Sequence, residues 1–365
     1  MRRDTSVNSG AYIGSVRGKS VTIRQRVVNH AKANPRPYAV MAAALVVVLG
    51  ASGYGLVGGD ATVGGTAVTQ RGGVVAAAPQ AAATVPVEGS PTGLAYRADG
   101  KYLVVTTYQP PSLHLIDVDR NDVAKTIGFD TSVLGMTISP DGRSIVVDNG
   151  GDGTVLLRDP ETVSSAEFPL PDVSGGGTFT LDSKLVVTKT ETAFRLWNAA
   201  TGAPAGEHPI APNQDDSVLA APDGHFLTSS YSSSVLTYWD SATWTPVTTM
   251  ETEDYANSVA IDPASTVAAI GQGNGDIQIR ALPSGDVVTT LTGHSGPVSA
   301  VAFAPEDKLL ASAAEDGTIR LWDTGTWRTV TTMPNHVDTP RLAFSPDGAT
   351  LATYTDDGIT LWRLP

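Results

Sequence analysis

Six histidines are the side chains best suited to acid–base or metal chemistry in this chain, and their spacing favours neither. No two of them stand four residues apart, the arrangement with which a helix binds zinc. The chain has no cysteine, which excludes disulfides, thiolate catalysis and cysteine-ligated zinc or iron–sulfur centres. It also lacks a G-x-S-x-G elbow, a P-loop and a dinucleotide-binding fingerprint. The sequence therefore predicts no catalytic residue, no metal and no cofactor.

Acidic side chains cluster in short stretches that are rich in turn residues. Residues 148–152 place several oxygen ligands close together, but they lack the order and the terminal Glu of a calcium loop. A plain turn and a weak calcium site are both open there. Residues 215–216 and 251–254 are predicted to be solvated loops that could receive a basic partner.

Two tryptophans occupy equivalent places in the similar segments WDSATW and WDTGTW. Trp244 and Trp327 are candidate partner contacts, because tryptophan is enriched in binding hot spots. The alternative is that each packs over the outer edge of its own sheet. Their recurrence at the same place in two repeats favours packing.

The elements that must position these residues recur with a regular period. Each recurrence contains an apolar residue just before a turn like Pro-Asp-Gly, and the intervals between these anchors are 42, 41, 41, 41, 42 and 41 residues. A short apolar run and then an alternating segment follow each turn, which predicts strands and no helices. The anchors are Tyr96, Ile138, Phe179, Ala220, Ile261, Phe303 and Phe344.

Residues 293–323 carry the clearest repeat, GHSGPVSAVAFAPEDKLLASAAEDGTIRLWD. This segment resembles a WD40 repeat, and the period falls in the roughly 40–45 residue range of that family. The earlier repeats also resemble the YVTN-type propellers of prokaryotic surface proteins. The resemblance implies an all-β fold, a seven-bladed β-propeller, since one blade cannot bury its faces alone.

The predicted propeller spans residues 82–365, and residues 82–87 are expected to close the last blade by adding its outermost strand. That closure would leave no free seam in the ring. The repeats are predicted near residues 89–129, 130–168, 169–209, 210–250, 251–291, 292–333 and 334–365.

The WD40 resemblance also implies a buried hydrogen-bonded set of histidine, serine or threonine, aspartate and tryptophan in a well-formed repeat. Buried polar groups need partners, and four such groups can tie three strands together. In the last two repeats the family pattern falls on His294, Ser312, Asp316 and Trp322, and on His336, Thr353, Asp357 and Trp362.

The N-terminal part differs in charge and hydropathy. Residues 1–37 carry +7 while the whole chain carries −13, so the remaining residues carry −20. Residues 38–57 are uncharged and long enough to cross a membrane as one helix, with the basic tail on the cytoplasmic side. A cleaved secretory signal is the alternative. Residues 58–81 are predicted to be a flexible linker.

These features predict a single-pass protein of the bacterial cell membrane, anchored by residues 38–57, with its propeller outside. The first functional hypothesis is a non-catalytic scaffold that binds a protein partner of unknown identity. The acidic charge predicts no binding of nucleic acid. The second hypothesis is a propeller hydrolase, similar to lactonases, or a propeller that binds a metal or small ligand at its central channel.

Overall fold

The computed structural model describes residues 78–149, 154–158, 168–170, 176–211, 217–229, 234–306, 308–335, 337 and 340–364. Every regular element in these ranges is a β-strand. The first fourteen strands are β1 Gln80–Val85, β2 Pro91–Tyr96, β3 Tyr102–Thr107, β4 Ser112–Asp117, β5 Asp122–Gly128, β6 Gly135–Ile138, β7 Ser144–Asp148, β8 Thr154–Arg158, β9 Phe168–Leu170, β10 Gly177–Phe179, β11 Leu185–Lys189, β12 Ala193–Asn198, β13 Pro204–Pro209 and β14 Ser217–Ala220.

The remaining strands continue the same pattern to the end of the described chain. They are β15 Phe226–Ser229, β16 Val235–Asp240, β17 Thr245–Glu251, β18 Ala256–Ile261, β19 Val267–Gln272, β20 Ile277–Ala281, β21 Val287–Leu291, β22 Val298–Phe303, β23 Leu309–Ala314, β24 Thr318–Asp323, β25 Arg328–Pro334, β26 Leu342–Phe344, β27 Thr350–Thr355 and β28 Gly358–Arg363.

The described strands form seven four-stranded antiparallel sheets. Sheets 1 to 6 each use four consecutive strands, from β2–β5 through to β22–β25, and sheet 7 joins β26, β27 and β28 with β1. Each predicted anchor is the last residue of the first strand in its sheet. In six of the seven pairs of neighbouring sheets the first strands contact each other, which places these strands on the inside of a ring. The predicted all-β propeller architecture is confirmed.

Local chemistry explains why each sheet begins with a tight hairpin. In sheet 1 the N–H of Gly100 donates to the carbonyl of Arg97 at 2.9 Å, and Gly100 has a φ of 69° that favours glycine. The Asp99 carboxylate accepts the N–H of Lys101 at 3.0 Å. The next strand, β3, is buried along its whole length, because both of its faces lie against neighbouring sheets.

The core is distributed between the sheets. Each of seven apolar clusters draws residues from two consecutive sheets, and one of them joins sheet 7 to sheet 1. In that seam cluster Leu94 and Tyr96 of β2 pack with Ala343 of β26 and Ile359 of β28. Removal of apolar surface from water between each pair of neighbouring sheets is the main contribution to the stability of the ring.

The seam is completed by β1, which pairs antiparallel with β28, from Gln80 opposite Arg363 to Val85 opposite Ile359. The strand therefore begins two residues before the predicted segment 82–87, and it ends before Pro86. The hydroxyl groups of Thr84 and Thr360 lie 3.3 Å apart across this pair. The chain upstream of the first repeat thus supplies the outermost strand of the last sheet.

The predicted transmembrane helix at residues 38–57, the basic tail at 1–37 and most of the linker at 58–81 lie outside the described residues. Within the described ranges, no helix is long and apolar enough to cross a membrane.

Candidate functional site

The best-defined polar cluster is in sheet 6, where the loop before β22 meets strands β23 and β24. The His294 ring lies between two partners, with Nε2 2.8 Å from Ser312 Oγ and Nδ1 3.0 Å from Asp316. The Trp322 indole N–H donates to the same Ser312 Oγ at 2.8 Å. The structure therefore brings together all four residues that the family resemblance assigns to this repeat. We call them the sheet-6 network.

Burial and hydrogen bonding set the charges in the sheet-6 network. Burial lowers the pKa of His294 below its ordinary value, although the Asp316 carboxylate acts in the opposite direction. Burial would raise the pKa of Asp316, but hydrogen bonds from the Ser295 N–H, the Thr318 hydroxyl and His294 outweigh it, and the pKa is lowered. The ring is therefore neutral and the carboxylate ionised at neutral pH.

The connectivity from Ser312 through His294 to Asp316 is that of a serine nucleophile with its general base. Access decides what this arrangement can do. Ser312 is 0% exposed and its Oγ already accepts the Trp322 N–H. A substrate cannot approach this oxygen, so the sheet-6 network ties strands together and is not placed for nucleophilic attack.

Sheet 7 contains a smaller version of the network. The Trp362 N–H donates to Thr353 Oγ1 at 2.8 Å, as the resemblance implies for these two residues. Asp357 lies exposed in the turn before β28, and its carboxylate makes no hydrogen bond among the described residues. His336 lies outside the described residues. The structure thus brings together two of the four residues assigned to this repeat.

Sheets 3 and 4 contain the same tryptophan bond, which the sequence interpretation missed. The Trp197 N–H donates to Thr188 Oγ1 and the Trp239 N–H to Thr228 Oγ1, each at 2.8 Å. The interpretation retained only the two tryptophans in these repeats. A threonine nine or eleven residues before the tryptophan was the available signal.

Replacing Thr188 with valine should lower the free energy of unfolding by about 1–3 kcal/mol, because the buried Trp197 N–H would lose its acceptor. Valine has nearly the shape of threonine, so packing changes little. Urea denaturation of wild type and variant measures the difference. Thr237→Val is the matched control, since Thr237 is also a buried residue but its hydroxyl bonds no side chain among the described residues. Equal losses in both variants would contradict the assignment.

Sheet 1 contains a polar network of its own that the sequence did not predict. The His114 ring has Nε2 3.0 Å from Ser112 Oγ and Nδ1 3.0 Å from Thr126 Oγ1. Ser112 Oγ in turn lies 2.8 Å from Thr107 Oγ1. Burial lowers the pKa of His114, with Glu88 acting to raise it. This network links β3, β4 and β5, as the sheet-6 network links its strands.

The two buried histidines predict a loss of stability in mild acid. The pKa of His114 and of His294 each lies below the ordinary 6.5, so the unfolded chain binds protons that the folded chain does not. The contribution of these two histidines to stability is therefore fully present above pH 6.5, and it is lost as the pH falls below this value. Melting temperatures measured across this range should show the decline. A variant with glutamine at both positions should show a flatter profile, and an unchanged slope would assign the effect to other groups.

The two candidate contact tryptophans are half-buried between sheets. The Trp244 ring stacks on His208 of the neighbouring sheet with 4.3 Å between ring centroids, and lies 5.3 Å from Phe194. Trp327 packs against the apolar cluster between sheets 5 and 6. Both residues have positive φ in the turn after the third strand. This geometry supports packing as their role.

The acidic segments have different surroundings. Asp148 is buried at the end of β7, and residues 150–153 lie outside the described chain, as do Asp215 and Asp216. Glu251 and Glu253 are exposed. Among the described residues, no group of three or more histidine, aspartate or glutamate side chains is arranged to hold a metal ion.

The fold is that of an all-β propeller, and the sheet-6 network has the residues of a WD40 repeat. Residues 285–323 match the family model "WD domain, G-beta repeat", and this range covers the end of sheet 5 and most of sheet 6.

The chain is similar in sequence to several named proteins. It is 39% identical over 107 residues to periodic tryptophan protein 2 homolog of Mus musculus, a match covering 28% of this chain and 12% of the relative. It is 30% identical over 191 residues to periodic tryptophan protein 2 of Arabidopsis thaliana, covering 51% and 21%. The serine-threonine kinase receptor-associated protein of Gallus gallus is 26% identical over 173 residues, covering 44% and 49%.

The chain therefore spans about an eighth to a fifth of the length of the first two relatives. These relatives come from animals and a plant, and they lend no support to the predicted bacterial source. None of them is named as a membrane-anchored protein. This is the finding against the predicted location. The prediction of a single-pass cell-membrane protein with an external propeller is wrong.

Proposed function

We propose that this chain is a non-catalytic protein-interaction scaffold built on a seven-bladed WD40 propeller. The carrying observation is that the one serine–histidine–aspartate arrangement among the described residues lies inside a sheet, where Ser312 is 0% exposed. Names of similar proteins support the proposal. One relative is named as associated with a kinase receptor, and another, from Drosophila melanogaster, as subunit 5 of a transcription initiation factor.

The strongest candidate for a contact residue is Tyr255, in the loop between β17 and β18. Its side chain is 43% exposed, and it is the only aromatic among the exposed large apolar residues of the described chain. The other exposed members of that group are valines in outermost strands. Tyrosine is enriched at binding hot spots, because it offers a large contact area with little loss of conformational freedom.

The loop holds Tyr255 in a defined position. The ring lies over Gly273, where an added Cβ would come within 2.9 Å of the ring carbons. Thr252 Oγ1 donates to the carbonyl of Asp254 at 2.6 Å and lies 2.9 Å from the carbonyl of Ser234. A preorganised aromatic side chain loses less entropy on binding than a mobile one.

Charge around Tyr255 indicates the kind of partner. Exposed Glu251 is the last residue of β17, and exposed Glu253 lies in the loop that follows. The Asp254 carboxylate lies 3.0 Å from the position of a Cβ added at Gly273. Acidic groups beside an exposed aromatic ring favour a cation, which carboxylates attract and the ring face accepts. The proposed partner therefore presents lysine or arginine to this loop.

The test is affinity capture with the full chain, followed by quantitative mass spectrometry. Wild type and Val330→Ala, a control at another exposed apolar side chain, should retain the same partner. Tyr255→Ala should lose it by at least about tenfold, the effect of a hot-spot side chain. Equal capture by all three variants would contradict the assigned surface. Turnover of a lactone or ester by the purified chain would contradict the non-catalytic role.

A further inference from the structure

A buried arginine, Arg341, lies at the seam of the ring, at a position where the other repeats have a small residue. The position three residues before each anchor is Gly93, Gly135, Gly176, Ser217, Ser258 and Ala300 in the first six repeats, and Arg341 in the seventh. In the first repeat this position faces the next sheet, which favours a small residue. A Cβ on Gly93 would come within 2.8 Å of the Met136 side chain in the next sheet.

Arg341 reaches into the neighbouring sheet, as Ser258 does at the equivalent position of the fifth repeat. The Ser258 hydroxyl donates across to the carbonyl of Val298 in the next sheet at 3.0 Å. The Arg341 Nε donates across the seam to the carbonyl of Thr92 at 3.2 Å, and Nη1 donates to the carbonyl of Pro340 at 3.0 Å. The side chain thus reaches from sheet 7 to the innermost strand of sheet 1.

The described residues around Arg341 do not neutralise its charge. The residue is only 7% exposed, and no carboxylate of the described residues forms an ion pair with it. Burial lowers its pKa to about 10, and no charge among the described residues contributes to this shift. Buried charges in proteins are normally paired, because an isolated one costs several kcal/mol of desolvation.

The guanidinium retains free hydrogen-bonding capacity. It has five N–H donors in a planar fork, and the two carbonyl bonds use only part of them. A carboxylate or a phosphate matches the remaining donors in charge and shape. In a partly dehydrated seam such a pair is stronger than it would be at the surface.

We propose that Arg341 is the anchor of an anion-binding site at the inner seam between sheets 7 and 1, and that it takes a carboxylate or phosphate group of a protein partner. Two uncharged hydroxyl groups of the described residues lie at this seam. The Tyr354 hydroxyl donates to the carbonyl of Gly89 at 2.6 Å, and the Thr92 hydroxyl donates to Thr106 Oγ1 at 3.0 Å.

This site extends the proposed interaction role, and small anions test it without any partner. The probes are inorganic phosphate and acetate, each compared with chloride at equal ionic strength, using the melting temperature and titration calorimetry of the full chain. Wild type should be stabilised by phosphate, acetate or both. Arg341→Gln should bind the effective anion at least about tenfold more weakly.

Two further variants make the result decisive. Arg328→Gln removes an exposed arginine from β25 and should keep the wild-type response to anions. Arg341→Lys keeps the charge without the planar fork, so it should respond to the anion more weakly than wild type. It provides the test if Arg341→Gln fails to fold. A response to phosphate alone would identify a phosphorylated ligand, and a response to acetate a carboxylate.

The proposed site would be contradicted by equal anion effects in wild type and Arg341→Gln, or by the lack of any anion-specific effect in wild type. Arg341 would then serve only to connect sheets 7 and 1 by hydrogen bonds. Tyr255→Ala should respond to small anions as wild type does. Loss of partner capture at Tyr255 and loss of anion binding at Arg341 are therefore separate outcomes.

Discussion

Trp322→Ala is expected to lower the free energy of unfolding by about 3–5 kcal/mol, the cost of removing a large aromatic side chain from a packed core. Trp322 is 3% exposed and lies in the apolar cluster between sheets 5 and 6. The substitution also removes one of the two side chains that bond Ser312 Oγ. Urea denaturation followed by tryptophan fluorescence and circular dichroism measures the change.

A second substitution separates packing from hydrogen bonding at the same position. Trp322→Phe keeps an aromatic ring but removes the indole N–H, so its loss should be smaller than that of Trp322→Ala. Loss of the hydrogen bond from the indole to Ser312 should account for about 0.5–1.5 kcal/mol of the destabilisation in Trp322→Phe. A decrease below about 1 kcal/mol for Trp322→Ala would show that the side chain is not part of a packed core.

Gly358→Val should destabilise the seam by at least about 3 kcal/mol, from backbone strain and overpacking together. Gly358 begins β28 with a φ of 115°, a conformation that side chains disfavour. An added Cβ would lie 2.3 Å from the carbonyl oxygen of Val85 and 2.9 Å from the backbone of Pro86. These contacts are with backbone, so they cannot be relieved by a side-chain rotation.

The matched control is Gly128→Val, at the end of β5, where nothing lies within 4 Å of an added Cβ. It should change the melting temperature little, while Gly358→Val lowers it strongly and promotes aggregation through the uncovered edge of sheet 7. Similar melting temperatures for the two variants would mean that β1 does not lie against Gly358.

Much of this architecture follows from the sequence, because its repeats are regular. The turn residues and the interval between anchors predicted the sheets, and every anchor ends the first strand of its sheet. The closing segment followed from a missing outermost strand in the last repeat. The polar set in sheet 6 was available because His294, Ser312, Asp316 and Trp322 all match the family pattern.

Other features depend on contacts between residues that are distant or atypical in sequence. Thr188 and Thr228 were missed because the distance from threonine to tryptophan varies with the length of the intervening turn. His114 lies inside a strand, away from the place where the family pattern expects a histidine. The burial of Arg341 depends on the approach of sheet 1 to sheet 7, which no local pattern encodes.

Disulfide trapping of the seam tests the closed ring most directly. The chain has no cysteine, so a variant with Thr84→Cys and Thr360→Cys contains a single possible pair. The two hydroxyl oxygens are 3.3 Å apart, within the reach of a disulfide after substitution. Mild oxidation should give one intramolecular disulfide, identified by peptide mapping. Thr84→Cys with Thr237→Cys, in sheet 4, should give none. Failure of the first pair to link, or equal linking of both, would contradict a ring closed by β1.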